Sequence, residues 1–265
     1  MHRIFSGPVH RLCAGIALAP LLLSAAACST DEQDGQQPEE TASTSAVQQA
    51  EPVDIAAATL QEGEMLPHLR YTNYGQDYAA LSDEERTELA RSQKYQEEQL
   101  RTEPAECAEV ALGESFITAL VAEKPEAANV VMWQPKPEDY TDDADLEAYS
   151  VLIADAAALG EHGALEENCL DYSATLPVGG VDVGYSVTQH FKHTAIDDVT
   201  LSGAEDVQAY STVTWVDGSS AEEGHRTYIV RGRTGNVVVL ARGIELNSVK
   251  TLAQAQLDRI AATRG

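Results

Sequence analysis

The stretch that decides the fold class is Arg226–Thr227–Tyr228–Ile229–Val230, followed by Thr234–Gly235–Asn236 and then Val237–Val238–Val239–Leu240–Ala241. Residues 225–233 and 236–242 are rich in Val, Thr and Tyr, side chains that suit a pleated, half-buried surface. Gly235 between them is able to take the positive φ of a primed turn, so the two runs read as an antiparallel hairpin. Upstream, residues 169–176, 181–191 and 207–216 have the same composition, and Pro177–Val178–Gly179–Gly180 links the first two tightly enough for a second hairpin. Short links make antiparallel neighbours. Downstream, Asn247–Ser248 caps a final helix to Arg264 whose stripe of Val249, Leu252, Ala253, Leu257 and Ile260 must bury against the sheet. The expected class is α+β: an antiparallel sheet of about five to six strands packed by helices, with the C-terminal helix on the sheet.

The chain before this sheet reads as mostly helical. Ser82, with Glu85 three residues on, is a capping box opening a helix to about Leu100 with a mostly polar face. A second helix starts near Pro104, and Cys107, Val110, Ala111, Phe116, Leu120 and Val121 form its buried side. Asn129–Val130–Val131–Met132–Trp133 reads as a strand closed by Pro135 and Pro137. Residues 143–159 read as a third helix, because Leu146, Tyr149, Leu152, Ile153 and Ala156 follow the 3, 4 spacing. Leu60, Met65, Leu66 and Leu69 suggest a short broken helical element around Pro67. Tyr71, Tyr74 and Tyr78 offer either a ligand-facing patch or, preferred here, a clamp holding the incoming segment on the domain.

The N-terminus carries an address. Arg3 and Arg11 precede an apolar run, then Leu23–Ser24–Ala25–Ala26–Ala27–Cys28, the order of a secretory signal. The apolar stretch is broken by Pro20 and is shorter than the roughly 20 residues of a membrane span. Two outcomes remain open: lipidation of Cys28 at a lipobox, which the polar residues after it favour, or ordinary cleavage after Ala25–Ala26–Ala27. The chain therefore divides into a lipoprotein signal (1–27), a disordered tether without aromatic residues (28–55) and one domain (56–265).

The formal net charge of −26 becomes −28 once the two signal arginines are gone, which argues against nucleic acid and polyanionic surfaces. One basic cluster stands out: Arg226, Arg231, Arg233 and Arg242, read as solvated strand positions balancing Glu222, Glu223 and Glu245. With Cys13 in the signal and Cys28 lipidated, Cys107 and Cys169 remain as an even pair in an oxidising compartment, and a disulfide between them is expected.

Pro104–Ala105–Glu106–Cys107, Glu167–Asn168–Cys169, the hairpin around Gly235–Asn236 and the closing Leu252…Leu257…Ile260 helix together resemble actinobacterial sensor-domain lipoproteins. These are similar to the extracellular sensor domain of PknH-type serine/threonine kinases, and the likeness spans roughly residues 55–265. The resemblance implies a ligand-binding cleft. That kinase pattern carries two disulfides, whereas this chain has cysteines for one, and the tryptophan that usually precedes the second helix's cysteine is not here.

No reaction is named by a motif. His190 and His193 are the nearest approach to a metal pair, but three residues apart on a strand they face opposite sides, and Glu161–His162 is a loop pair of low weight. Gly218–Ser219–Ser220 lacks the second glycine of a nucleophile elbow, and neither a P-loop nor a dinucleotide fingerprint occurs, so no catalytic residue, metal or cofactor is expected. The leading reading is a non-catalytic lipoprotein on the extracytoplasmic face of the cell membrane, binding a small or lipidic ligand or a cell-envelope protein. Trp133, Tyr185 and Trp215 are its candidate aromatic lining. The rivals are an envelope polysaccharide hydrolase and a structural interaction module.

Overall fold

The hairpin forms as its residues dictate. Thr234 pairs with Val237, leaving Gly235 and Asn236 as a two-residue loop, and Gly235 has φ 58° at its first position, as in a type II′ turn. The computed structural model describes residues 52–137, 147–160, 165, 167–178 and 185–264. In chain order these form α1 (Ile55–Ala58), β1 (Arg70–Asn73), α2 (Tyr74–Ala79), α3 (Asp83–Gln99), β2 (Arg101–Glu103) and α4 (Ala108–Glu123). Then come β3 (Ala128–Gln134), β4 (Tyr149–Asp155), α5 (Ala156–Leu159), β5 (Asp171–Val178), β6 (Tyr185–Ala195), β7 (Glu205–Val216), β8 (His225–Thr234), β9 (Val237–Gly243) and α6 (Leu246–Arg264).

All strand pairs are antiparallel, in the order β1-β3-β4-β9-β8-β7-β6-β5-β2. The class is α+β as expected, but the described sheet has nine strands rather than five or six. Two of the extra strands, β1 and β2, are edge strands of four and three residues, too short to show a period. The third is β4, a correction to the helix expected over 143–159. Tyr149–Asp155 lies between β3 and β9 and is buried on both sides, so its apolar run fits helical spacing and a central strand equally, and the pairing decides. Residues 143–146 lie outside the described residues, and among the described residues of that stretch only α5 is helical, with Asp155 Oδ1 accepting from Ala157 and Ala158 N–H at 2.9 and 3.1 Å.

Two cores lie on the two faces of this sheet. The outer one joins α6 (Val249, Leu252, Ala253, Leu257, Ile260) to Val131, Val151, Ile153, Val230, Val237, Val239 and Ala241. The expected stripe of α6 is buried in full, but the helix starts at Leu246 rather than at an Asn247–Ser248 cap: Val249 N–H already bonds to Glu245 O, and Ser248 Oγ bonds to the Glu245 carboxylate at 2.6 Å. The inner core joins Val110, Leu120 and Val121 of α4 to Ala128, Leu152, Ala154, Tyr172, Phe191, Ile229, Val238 and Leu240. Val237–Ala241 is buried throughout because both of its faces are covered.

The two helical layers differ. On the outer face α6 lies directly on β8, β9 and β4, whereas on the inner face α3 and α4 make their main sheet contacts at β5, β2 and β3. Helix α3 has the expected capping box, with Ser82 N–H bonded to Glu85 Oε2 at 2.8 Å and Glu85 N–H to Ser82 Oγ at 3.3 Å; these bonds hold the Glu85 carboxyl below its usual range. No described residue of α3 is fully buried. Cys107 and Cys169 are joined as a disulfide, Cα atoms 5.6 Å apart, tying the start of α4 to the chain just before β5. Asp54 caps α1 and Ile55 is core, so the folded body reaches back across the expected 55/56 boundary. No helical element forms around Leu60–Leu69, although both of those residues are buried.

Candidate functional site

The candidate aromatic residues do not share a cleft. Trp133 is 0% exposed on β3 in the outer core, edge-on to Tyr71 at 5.6 Å. Trp215 is half-buried on the same face of β7, stacked on His190 at 5.2 Å. From the sheet order they are four strands apart, about 19 Å at the usual spacing. Tyr185 opens β6, and its side chain lies outside the described residues, as do Cys28, the Glu161–His162 pair and the Gly179–Gly180 turn. The three tyrosines of the incoming segment act as a clamp: Tyr71 Oη donates to Leu60 O at 2.8 Å, Tyr74 Oη contacts Met132 Sδ at 3.7 Å, and Tyr78 joins the inner core.

His190 and His193 stand on opposite faces, as strand geometry requires. His190 pairs in register with Trp215 on the outer face, and its Nε2 lies 2.7 Å from Asp217 Oδ1. His193 points inward with Phe191 and pairs in register with Thr212; its Nδ1 is 2.8 Å from Thr212 Oγ1 and its ring stacks on Tyr172 at 5.9 Å. Among the described residues no group of three His, Cys, Asp or Glu side chains is placed to hold a metal ion.

What the inner face does hold is a strip of buried polar side chains, one from each of four successive strands: His193 (4% exposed), Thr212 (0%), Thr227 (7%) and Arg242 (8%). His193, Thr212 and Thr227 lie directly opposite one another across β6, β7 and β8, and Arg242 is opposite Ile229, two residues from Thr227. Further along the same face Gln208 and Arg231 are direct cross-strand neighbours. On the helical side Gln93 lies one turn from Leu89, the α3 residue that packs toward the inner core.

Five buried atoms of this set have no hydrogen-bond partner among the described residues: His193 Nε2, Thr227 Oγ1, Gln208 Oε1, Arg231 Nε and Gln93 Nε2. An unmet buried group costs about 1–3 kcal/mol, and of these five only His193 and Thr227 belong to fully buried residues, while Gln93, Gln208 and Arg231 are half-buried. Trp133 Nε1 is also unmet, in the outer core, and nothing in the structure explains it.

The electrostatics follow from burial. Loss of water pulls His193 down to about 4, and the nearby Arg242 charge acts in the same direction, so the ring is neutral at pH 7. Burial also lowers Arg231, a shift that Asp206 and Tyr210 oppose and Arg233 reinforces. The carboxylates nearest this face are Asp206 and Glu205 at one end of β7, both paired with Arg233, and Asp206 also acts on Arg231.

The basic cluster therefore needs correcting. Arg226 is exposed, and Arg233 pairs with Glu205 and Asp206 at 3.1 and 2.8 Å rather than with Glu222, Glu223 or Glu245. Arg231 and Arg242 are not solvated strand positions but inner-face residues, because their odd and even places on β8 and β9 share the side of Ile229 and Leu240. The signal for this was present: Phe191 and His193 are two apart on one strand, as are Ile229 and Arg231, so the apolar residue of each pair carries the polar one inward. Two open depressions, of about 360 and 400 Å³, lie elsewhere, over Glu223–Arg226 with Ile244 and over Met65, Lys250 and Gln254, and neither includes an inner-face strip residue.

Compared with known protein families, with curated proteins and with solved structures, the chain finds no match in any of the three.

Proposed function

We propose that this chain is a non-catalytic, sensor-like binding module held at the extracytoplasmic face of a membrane by a lipid on Cys28, and that its ligand is received between α3 and the inner face of β6, β7 and β8. One observation carries the reading: buried polar atoms from α3, β6, β7 and β8 lie on one side of the sheet without partners among the described residues. A ligand that supplies those hydrogen bonds recovers the cost of leaving them unmet, which is the physical basis of an orienting polar site. The placement of α3 supports it. Helix α3 has no fully buried residue, packs toward the inner core through Leu89 and meets the sheet at β5, so it is a polar cover at the edge of this face. The polar residues after Cys28 and the signal before it support the anchor.

The test is native mass spectrometry of the full chain, purified from its own membrane in mild detergent, followed by denaturing mass analysis. The expected result is a discrete mass lost on denaturation and a diacylglyceryl group on the N-terminal cysteine. A clean apo mass from protein never exposed to denaturant opposes the ligand part; an unmodified cleaved terminus opposes the anchor.

A further inference from the structure

The first residues of the domain lie on it as a peptide lies on a receptor, and what holds them is independent of the ligand reading above. Residues 53–60 comprise α1 and an extended stretch at Thr59 (φ −69°, ψ 137°), and α1 touches α6, β3 and β4 on the outer face. We propose that α6, β1 and β3 form a groove that reads peptide main chain, and that two copies of this chain exchange residues 53–60, each filling the other's groove.

The first argument is the way the segment is bonded. Among the described residues no main-chain to main-chain hydrogen bond joins residues 53–60 to the rest of the domain; Ala58 N–H to Asp54 O, at 2.9 Å, is internal to the segment. The bonds that cross come from side chains of the body. Arg259 Nε donates to Ala57 O at 3.2 Å, Gln256 Nε2 to Ala58 O at 2.5 Å and Tyr71 Oη to Leu60 O at 2.8 Å, and Gln256 Oε1 accepts from Leu60 N–H at 3.2 Å. Asn129 Nδ2 on β3 adds a bond to Thr59 Oγ1 at 3.1 Å. Bonds to main-chain groups grip a segment whatever its sequence, and pockets then choose the side chains. Ile55, Ala58 and Leu60 fill the outer core while Ala56 and Ala57 are exposed. The occupant that this pattern fits is therefore this segment, from its own chain or from another copy.

The second argument is the link that follows. Residues 61–64 form a tight turn, with Glu64 N–H bonded to Gln61 O at 3.2 Å and Gln61 N–H to Glu64 Oε2 at 2.6 Å. Gly63 within it has φ 82° and is exposed, and a Cβ added there would meet nothing within 4 Å. Just beyond the turn Leu66 has φ 45°, a left-handed value that is strained for a leucine. Short strained hinges invite exchange between copies: opening the hinge releases the strain, and the exchanged segment regains on its partner every contact it gave up. Such a dimer is closed, because each copy gives one segment and receives one.

The experiment uses the full chain with benzoylphenylalanine in place of the exposed Ala57, mixed in equal amount with heavy-isotope-labelled wild type, equilibrated, irradiated and mapped by mass spectrometry. Adducts to α6 are expected in both isotopes, with the heavy share rising as the total chain concentration rises. Light-isotope adducts alone at every concentration, or adducts confined to elements other than α6, β1 and β3, overturn the proposal. A heavy Gln256→Leu partner is expected to collect about tenfold fewer adducts than heavy wild type, and equal labelling overturns the main-chain reading. Where that variant fails to fold, a second measurement decides. A protease site is inserted after Gly63 in the full chain and cut once the protein is folded, and a fluorescent peptide of residues 52–61 is titrated in. The peptide is expected to displace the cut fragment, and methylation of its Leu60 main-chain nitrogen is expected to weaken it by about tenfold or more. No binding, or binding that methylation leaves unchanged, overturns the groove.

Discussion

His193 on β6 and Thr212 on β7 stand directly opposite each other on the inner face, with His193 Nδ1 2.8 Å from Thr212 Oγ1 and both side chains buried. Burial, and then the charge of Arg242, pull the His193 pKa to about 4, against about 6.5 in an unfolded chain. Between those values the unfolded chain binds a proton that the folded one refuses. Stability is therefore full above pH 6.5 and is lost as the pH falls toward 4, by on the order of 3 kcal/mol across the window. Urea midpoints at pH 7 and pH 5 measure the slope, and His193→Gln is expected to flatten it. A variant with the wild-type slope would place the pH sensitivity in another group.

The Cys107–Cys169 bond closes a separation of 62 residues and fastens the start of α4 to the segment that leads into β5. In the chain-entropy account such a link restricts the unfolded ensemble by roughly 4 kcal/mol. Cys107→Ala/Cys169→Ala protein is expected to unfold at a lower guanidinium midpoint by that amount, and the same fall is expected for wild type kept in reductant. Loss of less than about 1 kcal/mol would mean that the reduced chain stays compact when unfolded.

The sheet's centre and its margins differed in legibility for a physical reason. β8, β9 and α6 announce themselves through β-branched runs, a glycine turn and a 3.6-residue stripe, and each is found where those features put it. β4 misled because a central strand covered on both faces has no polar side to mark its period, and Leu152, Ile153 and Ala156 fit a helix as well. β1 and β2 are set by partners distant in sequence, Arg70–Asn73 on β3 and Arg101–Glu103 on β5, with no local signal of their own. The site was hidden differently. Trp133 and Trp215 drew attention as large aromatics, whereas the inner strip is made of Thr, His, Gln and Arg at alternate strand positions, ordinary one at a time and informative only once register places them side by side.

Gly243 ends β9 opposite Tyr228, and the ring of Tyr149 on β4 lies across it so closely that a Cβ added there would collide with the ring. Gly243→Ala therefore displaces Tyr149 from the outer core, at a cost of about 1–3 kcal/mol typical of overpacking. Pairing the change with Tyr149→Leu is expected to recover part of the loss, since the smaller side chain leaves room for the methyl. A thermal midpoint for Gly243→Ala within error of wild type would show that the ring moves aside freely.

Gln256 is a polar residue in the middle of the buried stripe of α6, and its amide closes the outer core against the start of the domain. Oε1 accepts from Leu60 N–H at 3.2 Å and Nε2 donates to Ala58 O at 2.5 Å, joining positions 196 and 198 residues apart in the chain. Two main-chain groups that leave the end of α1 thus find partners on the last helix rather than in water, and Ile55, Ala58 and Leu60 pack where that pairing holds them. Gln256→Leu keeps the bulk and removes both bonds, leaving a buried N–H and C=O unmet at about 1–3 kcal/mol each. Gln256→Glu keeps the acceptor for Leu60 and loses the donor to Ala58, with a carboxylate now buried beside a carbonyl, so it is expected to be at least as damaging at pH 7 and to improve as the pH falls and the acid becomes a donor again. Amide exchange supplies the local readout: in Gln256→Leu the Leu60 N–H is expected to exchange faster by a larger factor than the amides of β8 and β9. Uniform acceleration across the sheet would instead mean that Gln256 contributes only to global stability and does not fasten the N-terminal segment to α6.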